Sequence, residues 1–88
     1  MKENTIYKEV QPLAKTLFPE LRETQAVAVY LLALNGHSQT GNLLKIASAT
    51  VSHHINIAKH ILKVNTAQEL KLITLTRLSL INQTALRG

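Results

Sequence analysis

Between Ala49 and Lys63 the apolar residues return every three or four positions: Val51, Ile55, Ala58 and Leu62, flanked by His54, Ile57 and Ile61. At about 100° per residue that spacing describes one side of an α-helix and no strand. The opposite arc collects Ser52, His53, Asn56, Lys59, His60 and Lys63, with Ser48 just ahead of it. It holds short polar groups, lysines and histidines, and no acid. Such a surface suits phosphates and base edges. Four other stretches repeat the helical spacing, and with 3 Gly and 2 Pro the chain lacks the turn residues of a small β-fold.

Taken in order, Ile6, Val10, Leu13 and Leu17 make a stripe along a first helix over residues 4–18. Pro12 interrupts it, which predicts a kink or a restart. A second helix is expected from Glu20 or Glu23 to Leu34, with Val27, Tyr30, Leu31 and Leu34 on one face, stopped by Asn35-Gly36. Ser38 is the expected N-cap of a short third helix ending near Lys45. Gly41 inside it costs about 1 kcal/mol relative to alanine, which points to a close approach by a neighbouring helix. Ile46-Ala47-Ser48 is a tight connection to the helix of the opening. Thr66 and Glu69 form a capping box for a last helix, and residues 82–88 read as a flexible tail. The expected architecture is all-α: a four- to five-helix bundle containing a helix-turn-helix, within one domain spanning residues 1–88.

The last helix carries apolar residues on two sides. Leu70, Ile73 and Ile81 form one face, Leu72, Leu75 and Leu78 another. So small a domain has little core with which to cover both, so the second face is expected at a homodimer interface. The alternative is that the N-terminal helix covers it.

Charge narrows the function. The net charge is +5, and all five acids are Glu3, Glu9, Glu20, Glu23 and Glu69. None lies between Thr24 and Gln68, a segment that holds Lys45, Lys59, Lys63 and all four histidines. An uncompensated positive field of this kind attracts polyanions, nucleic acid foremost. Three aromatics (Tyr7, Phe18, Tyr30) leave few rings for stacking on RNA bases. No cysteine is present, so thiolate sites and disulfides are excluded. No two histidines stand four apart, so no metal and no cofactor is expected. Without cysteine or aspartate, and with no serine–histidine–acid set, an enzyme is not expected. No apolar run is long enough for a membrane span and the N-terminus lacks a signal-peptide plan, so the expectation is a cytoplasmic protein.

A short helix, a turn of three or four residues and a second helix with a polar face is the plan of a helix-turn-helix, and Gly41, Leu44, Ile46, Val51 and Ile55 supply its packing positions. The stretch from Leu21 to Leu78 resembles the LuxR/GerE-type DNA-binding domain of bacterial transcription factors. Ile46, Thr50, Val51, His54, Leu62 and Val64 match that family's Ile-Ser-x-x-Thr-Val-x-x-His and Leu-x-Val spacing, with Glu69-Leu70 following. Leu21, Leu31-Leu32-Ala33 and Gly36-His37-Ser38 resemble its opening helix and turn. The chain departs from the pattern in three places: the interval from Gly36 to Val51 is about two residues short, Gly41 replaces the usual alanine, and Ser52 stands where a lysine is common. The resemblance implies a stand-alone four-helix DNA-binding core over residues 21–80, paired through its last helix, with the helix before Pro19 as an addition.

The residues expected to touch double-stranded DNA are Ser38, Lys45, Ser48, Thr50, Ser52, His53, Asn56, Lys59, His60 and Lys63. Asn56 is suited to pair with adenine, and Lys59, His60 and Lys63 to meet the backbone. His54, on the inward side, is expected to be a packed, hydrogen-bonded structural residue. The alternative function is a protein-interaction module, an antiactivator or adaptor that kept the fold and binds another transcription regulator.

Overall fold

The computed structural model describes residues 5–87, with side chains to residue 83. Five α-helices follow one another: α1 Thr5–Leu17, α2 Glu23–Asn35, α3 His37–Leu44, α4 Ser48–Leu62 and α5 Ala67–Arg87. The architecture is the all-α, five-helix arrangement that the apolar periodicity predicts, and no strand occurs among the described residues.

The second helix is the axis of the molecule. Gln25, Ala26, Val27, Ala28, Val29, Leu31 and Ala33 are all buried, so α2 is enclosed on most of its circumference. Helices α1, α3, α4 and α5 all pack on it. A helix apolar all round belongs inside a core, whereas the sequence reading gave α2 a single inward face. Leu34, placed on that face, is 48% exposed because the last turn directs Leu31 and Ala33 inward instead.

Helix α1 runs unbroken through Pro12. Thr16 Oγ1 donates to the Pro12 carbonyl at 2.9 Å. Phe18 and Leu21, in the link to α2, are as buried as any residue of the core. The carbonyls of that link are taken up by cations: Lys15 Nζ donates to Leu21 O at 2.8 Å and Arg77 Nη1 to Leu17 O at 2.7 Å. Arg77 also grips Glu20 with two bonds of 3.0 Å, and its guanidinium lies 5.0 Å from the centre of the Phe18 ring. These hydrogen bonds hold the Glu20 carboxyl below its usual pKa.

Gly36 joins α2 to α3 by itself. Its N–H closes α2 on Leu32 O at 2.9 Å, and its carbonyl accepts from the Thr40 N–H at 3.1 Å and from Thr40 Oγ1 at 2.7 Å. Its φ of 86° and ψ of 171° lie in a region open essentially to glycine alone. For that reason Gly36, and not Ser38, is the N-cap of α3. The expected box at α5 is present: Glu69 N–H donates to Thr66 Oγ1 and Thr66 N–H to Glu69 Oε1, each at 3.1 Å. The tail expected at 82–88 is helical as far as Arg87. Ile81 anchors that end on the core, and no glycine or proline intervenes before Gly88, which lies outside the described residues, as does Asn4.

Helices α3 and α4 end alike. Lys45 N–H reaches Asn42 O and Ile46 N–H reaches Gly41 O; Lys63 N–H reaches His60 O and Val64 N–H reaches Lys59 O. Each is a Schellman ending, with the lysine left-handed at φ 58° and φ 59° respectively. A side chain there costs roughly 1 kcal/mol relative to glycine. The converse holds at Gly36. Although a Cβ there would meet nothing within 4 Å, Gly36→Ala is expected to lower stability by roughly 1–3 kcal/mol through backbone strain alone. Urea denaturation of the two proteins measures it.

Candidate nucleic-acid interface

The link between α3 and α4 is the three residues Lys45, Ile46 and Ala47. The two helices can turn this tightly because Gly41 has no side chain: a Cβ there would sit 3.2 Å from the Ile46 carbonyl oxygen and 3.6 Å from Val51 Cγ2. The close approach expected at Gly41 is therefore made, chiefly by the turn itself. Inward of it, Leu44, Val51, Ile55 and Ala58 are buried in the common core, and Leu62 packs on its edge. Ile61 is 40% exposed and lies outside that packing. Helix α4 is thus fixed along one face.

The other face is open. Ser48, Thr50, His53, Asn56, His60 and Lys63 are exposed, and Lys59 is half-buried. Ser38, in the first turn of α3, and Lys45, in the turn, are exposed as well. No acid stands in the first turn of α3 or of α4, and Ala47 gives α4 no side-chain cap. The positive end of the α4 dipole is therefore offset by neither a side-chain cap nor an acid. Among the described residues, Lys45, Lys59 and Lys63 form no ion pair.

Ser52 differs from its neighbours. It is half-buried, and its Oγ and His37 Nε2 share a hydrogen bond of 2.9 Å, with the donor set by the imidazole tautomer. The hydroxyl is committed to tying α4 to α3. His37 was missed in the sequence because fifteen residues separate it from Ser52, a distance that no local spacing rule covers. Beside it, His37, Ser38, Gly41, Asn42, Ile46 and Ser48 line a cleft of about 180 Å³ between the starts of the two helices.

His54 corrects a second expectation. It is packed, but its buried Nδ1 has no hydrogen-bond partner. Burial lowers its pKa, and neighbouring His53, whose ring centre is 5.8 Å away, lowers it further. On α5, Leu72 and Leu75 are 59% and 40% exposed. Leu78 instead packs partly on the chain's own core, one turn from the buried Thr74. Leu80, at 58% exposed, takes its place on the outer side. Among the described residues, no group of three or more potential ligands stands where it could hold a metal, and no helix is long and apolar enough to cross a membrane.

Compared with known proteins, the chain matches no family model, no curated protein and no solved structure.

The burial of His54 makes stability depend on pH. Because its folded pKa lies below its unfolded value near 6.5, the unfolded chain takes up the proton more readily. Its contribution is fully present above about pH 6.5 and is lost as pH falls through 6.5 towards the folded pKa. His54→Leu is expected to raise stability at pH 7.5 by about 1 kcal/mol and to flatten the decline between about pH 7 and 5. Denaturant titrations across that range would show it, and an unchanged decline would count against the assignment.

Proposed function

We propose that this protein is a small sequence-specific DNA-binding transcriptional regulator of the bacterial cytoplasm, acting as a homodimer with α4 in the major groove. The observation that carries the reading is the outer face of α4: exposed, acid-free, flanked by unpaired lysines, and held by a three-residue turn against α3. The LuxR/GerE-like spacing from Ile46 to Val64 supports it. Residues early in such a helix reach deepest into the groove, which assigns base contacts to Thr50, His53 and Asn56 and backbone contacts to Lys59, His60 and Lys63. Ser38 and Ser48 lie beside the first turn of α4, where a phosphate meets both hydroxyls and helix N–H groups. Ser52 positions α4 through His37.

Few fixed charges serve each copy, so affinity depends on two copies of α4 about 34–36 Å apart on successive turns of DNA. Leu72, Leu75 and Leu80 supply an uncharged surface on α5 for that pairing. The same leucines, with Ser52 already engaged, favour a second reading, in which the fold binds another transcription regulator as an adaptor.

Two measurements separate these. Electrophoretic mobility shift with the native promoter and with random genomic fragments is expected to show binding at low salt. Replacing both Asn56 and Lys59 by alanine should abolish it while the circular dichroism spectrum is retained. No shift with any fragment would sink the DNA reading, whereas a complex with a larger regulator that survives the double substitution would support the adaptor. In sedimentation, Leu72→Glu with Leu75→Glu is expected to convert a dimer into a folded monomer.

A further inference from the structure

Lys45 and Lys63 share a peculiarity that the rest of α4 does not explain. Each is the residue that ends a helix, each is left-handed, and the two sets of angles are the same within a degree (φ 58°, ψ 44° and φ 59°, ψ 45°). Glycine is the ordinary occupant of that conformation, and glycine fills the other positive φ among the described residues, at Gly36. The Schellman hydrogen bonds would form equally well with glycine, and the lysine side chains add nothing within the molecule: both are exposed, and among the described residues neither forms an ion pair. A bulky side chain kept in a left-handed position that glycine would fill at less cost points to a use for that side chain outside the fold.

Their placement supplies the function. Lys45 lies three residues ahead of Ser48 and Lys63 directly follows Leu62, so they bracket the 15 residues of α4. At 1.5 Å per residue the helix is about 22 Å long, whereas the major groove is about 12 Å wide. A helix seated in the groove therefore carries its two ends towards the two phosphate strands that wall it. We infer that Lys45 and Lys63 form a two-point phosphate clamp, one ammonium for each wall of the groove, and that the left-handed Schellman endings are the device that projects them. The inference rests on the DNA-binding reading given above. It assigns the lysines to positioning rather than sequence readout, and it accounts for a recognition face whose middle carries only Lys59 as a fixed charge.

The helix dipole offers a competing account, since a cation at a helix C-terminus is stabilising by itself. Glycine substitution distinguishes the two. For the full chain, Lys45→Gly and Lys63→Gly are each expected to raise the thermal midpoint by a few degrees, because the backbone cost is relieved. Each is also expected to weaken binding to a fluorescein-labelled mixed-sequence duplex. In anisotropy titrations between about 50 and 200 mM salt, the slope of log K against log salt should fall by about 0.9 for each variant and about 1.8 for the pair. Lys71→Gln, on α5, should leave the slope unchanged. A lowered midpoint in the glycine variants would give the lysines to the helix dipole and overturn the inference. An unchanged slope, with wild-type binding intact, would overturn the clamp and leave the DNA reading standing. Absence of wild-type binding at about 50 mM salt would remove both.

Discussion

Every other helix of this protein is placed by α2. A helix buried at Gln25, Ala26, Val27, Ala28, Val29, Leu31 and Ala33 has almost no side to give to water, and it becomes stable only when neighbours cover it all round. Its three alanines keep those neighbours close. Helix α4 is therefore held along one side by the same core that positions α1 and α5, and its outward face is fixed by default. The exposed arc needs no stabilising interactions of its own, which leaves its residues available for binding.

The polar groups divide their work along the same line. Glu20 is taken by Arg77, and Glu69 accepts from the backbone N–H groups of Asn65 and Thr66 at the head of α5. Thr40 and Thr74, both fully buried, turn their hydroxyls back onto carbonyls four residues earlier. Glu20 and Glu69 thus do structural work at the α1–α2 link and the start of α5, and no acid stands in α3, α4 or the turn between them to oppose Lys45, Lys59 and Lys63. The positive field of the middle is a product of this segregation as much as of the lysines themselves.

What could be read from the residues is what local spacing governs. The inward set Val51, Ile55 and Ala58, the Thr66–Glu69 box, the stop at Asn35-Gly36 and the tight approach at Gly41 all follow from offsets of three to ten residues, and each is found in the structure. What could not be read depends on neighbours far away in sequence. The enclosure of α2 requires four partners, the His37–Ser52 bond joins two helices, and the orphaned Nδ1 of His54 reflects what surrounds it rather than what adjoins it. Ser38 failed as a cap for a subtler reason: a glycine two residues earlier offered a sharper start than any side chain. Leu78 shows the limit of a helical wheel at a boundary, where one turn of packing decides which side a residue serves. For the candidate interface, the spacing told which residues face outward but not that one of them, Ser52, is already occupied.

Arg77 closes the link between α1 and α2 across 57 to 60 positions of sequence, bonding Glu20 and the Leu17 carbonyl from the middle of α5. During synthesis those two groups leave the ribosome long before their partner does. That corner stays hydrated, with the Phe18 ring lacking its cation, until α5 has been made as far as Arg77. The arginine thereby acts as a latch on the order of assembly, since the α1–α2 corner closes only after Arg77 has been made.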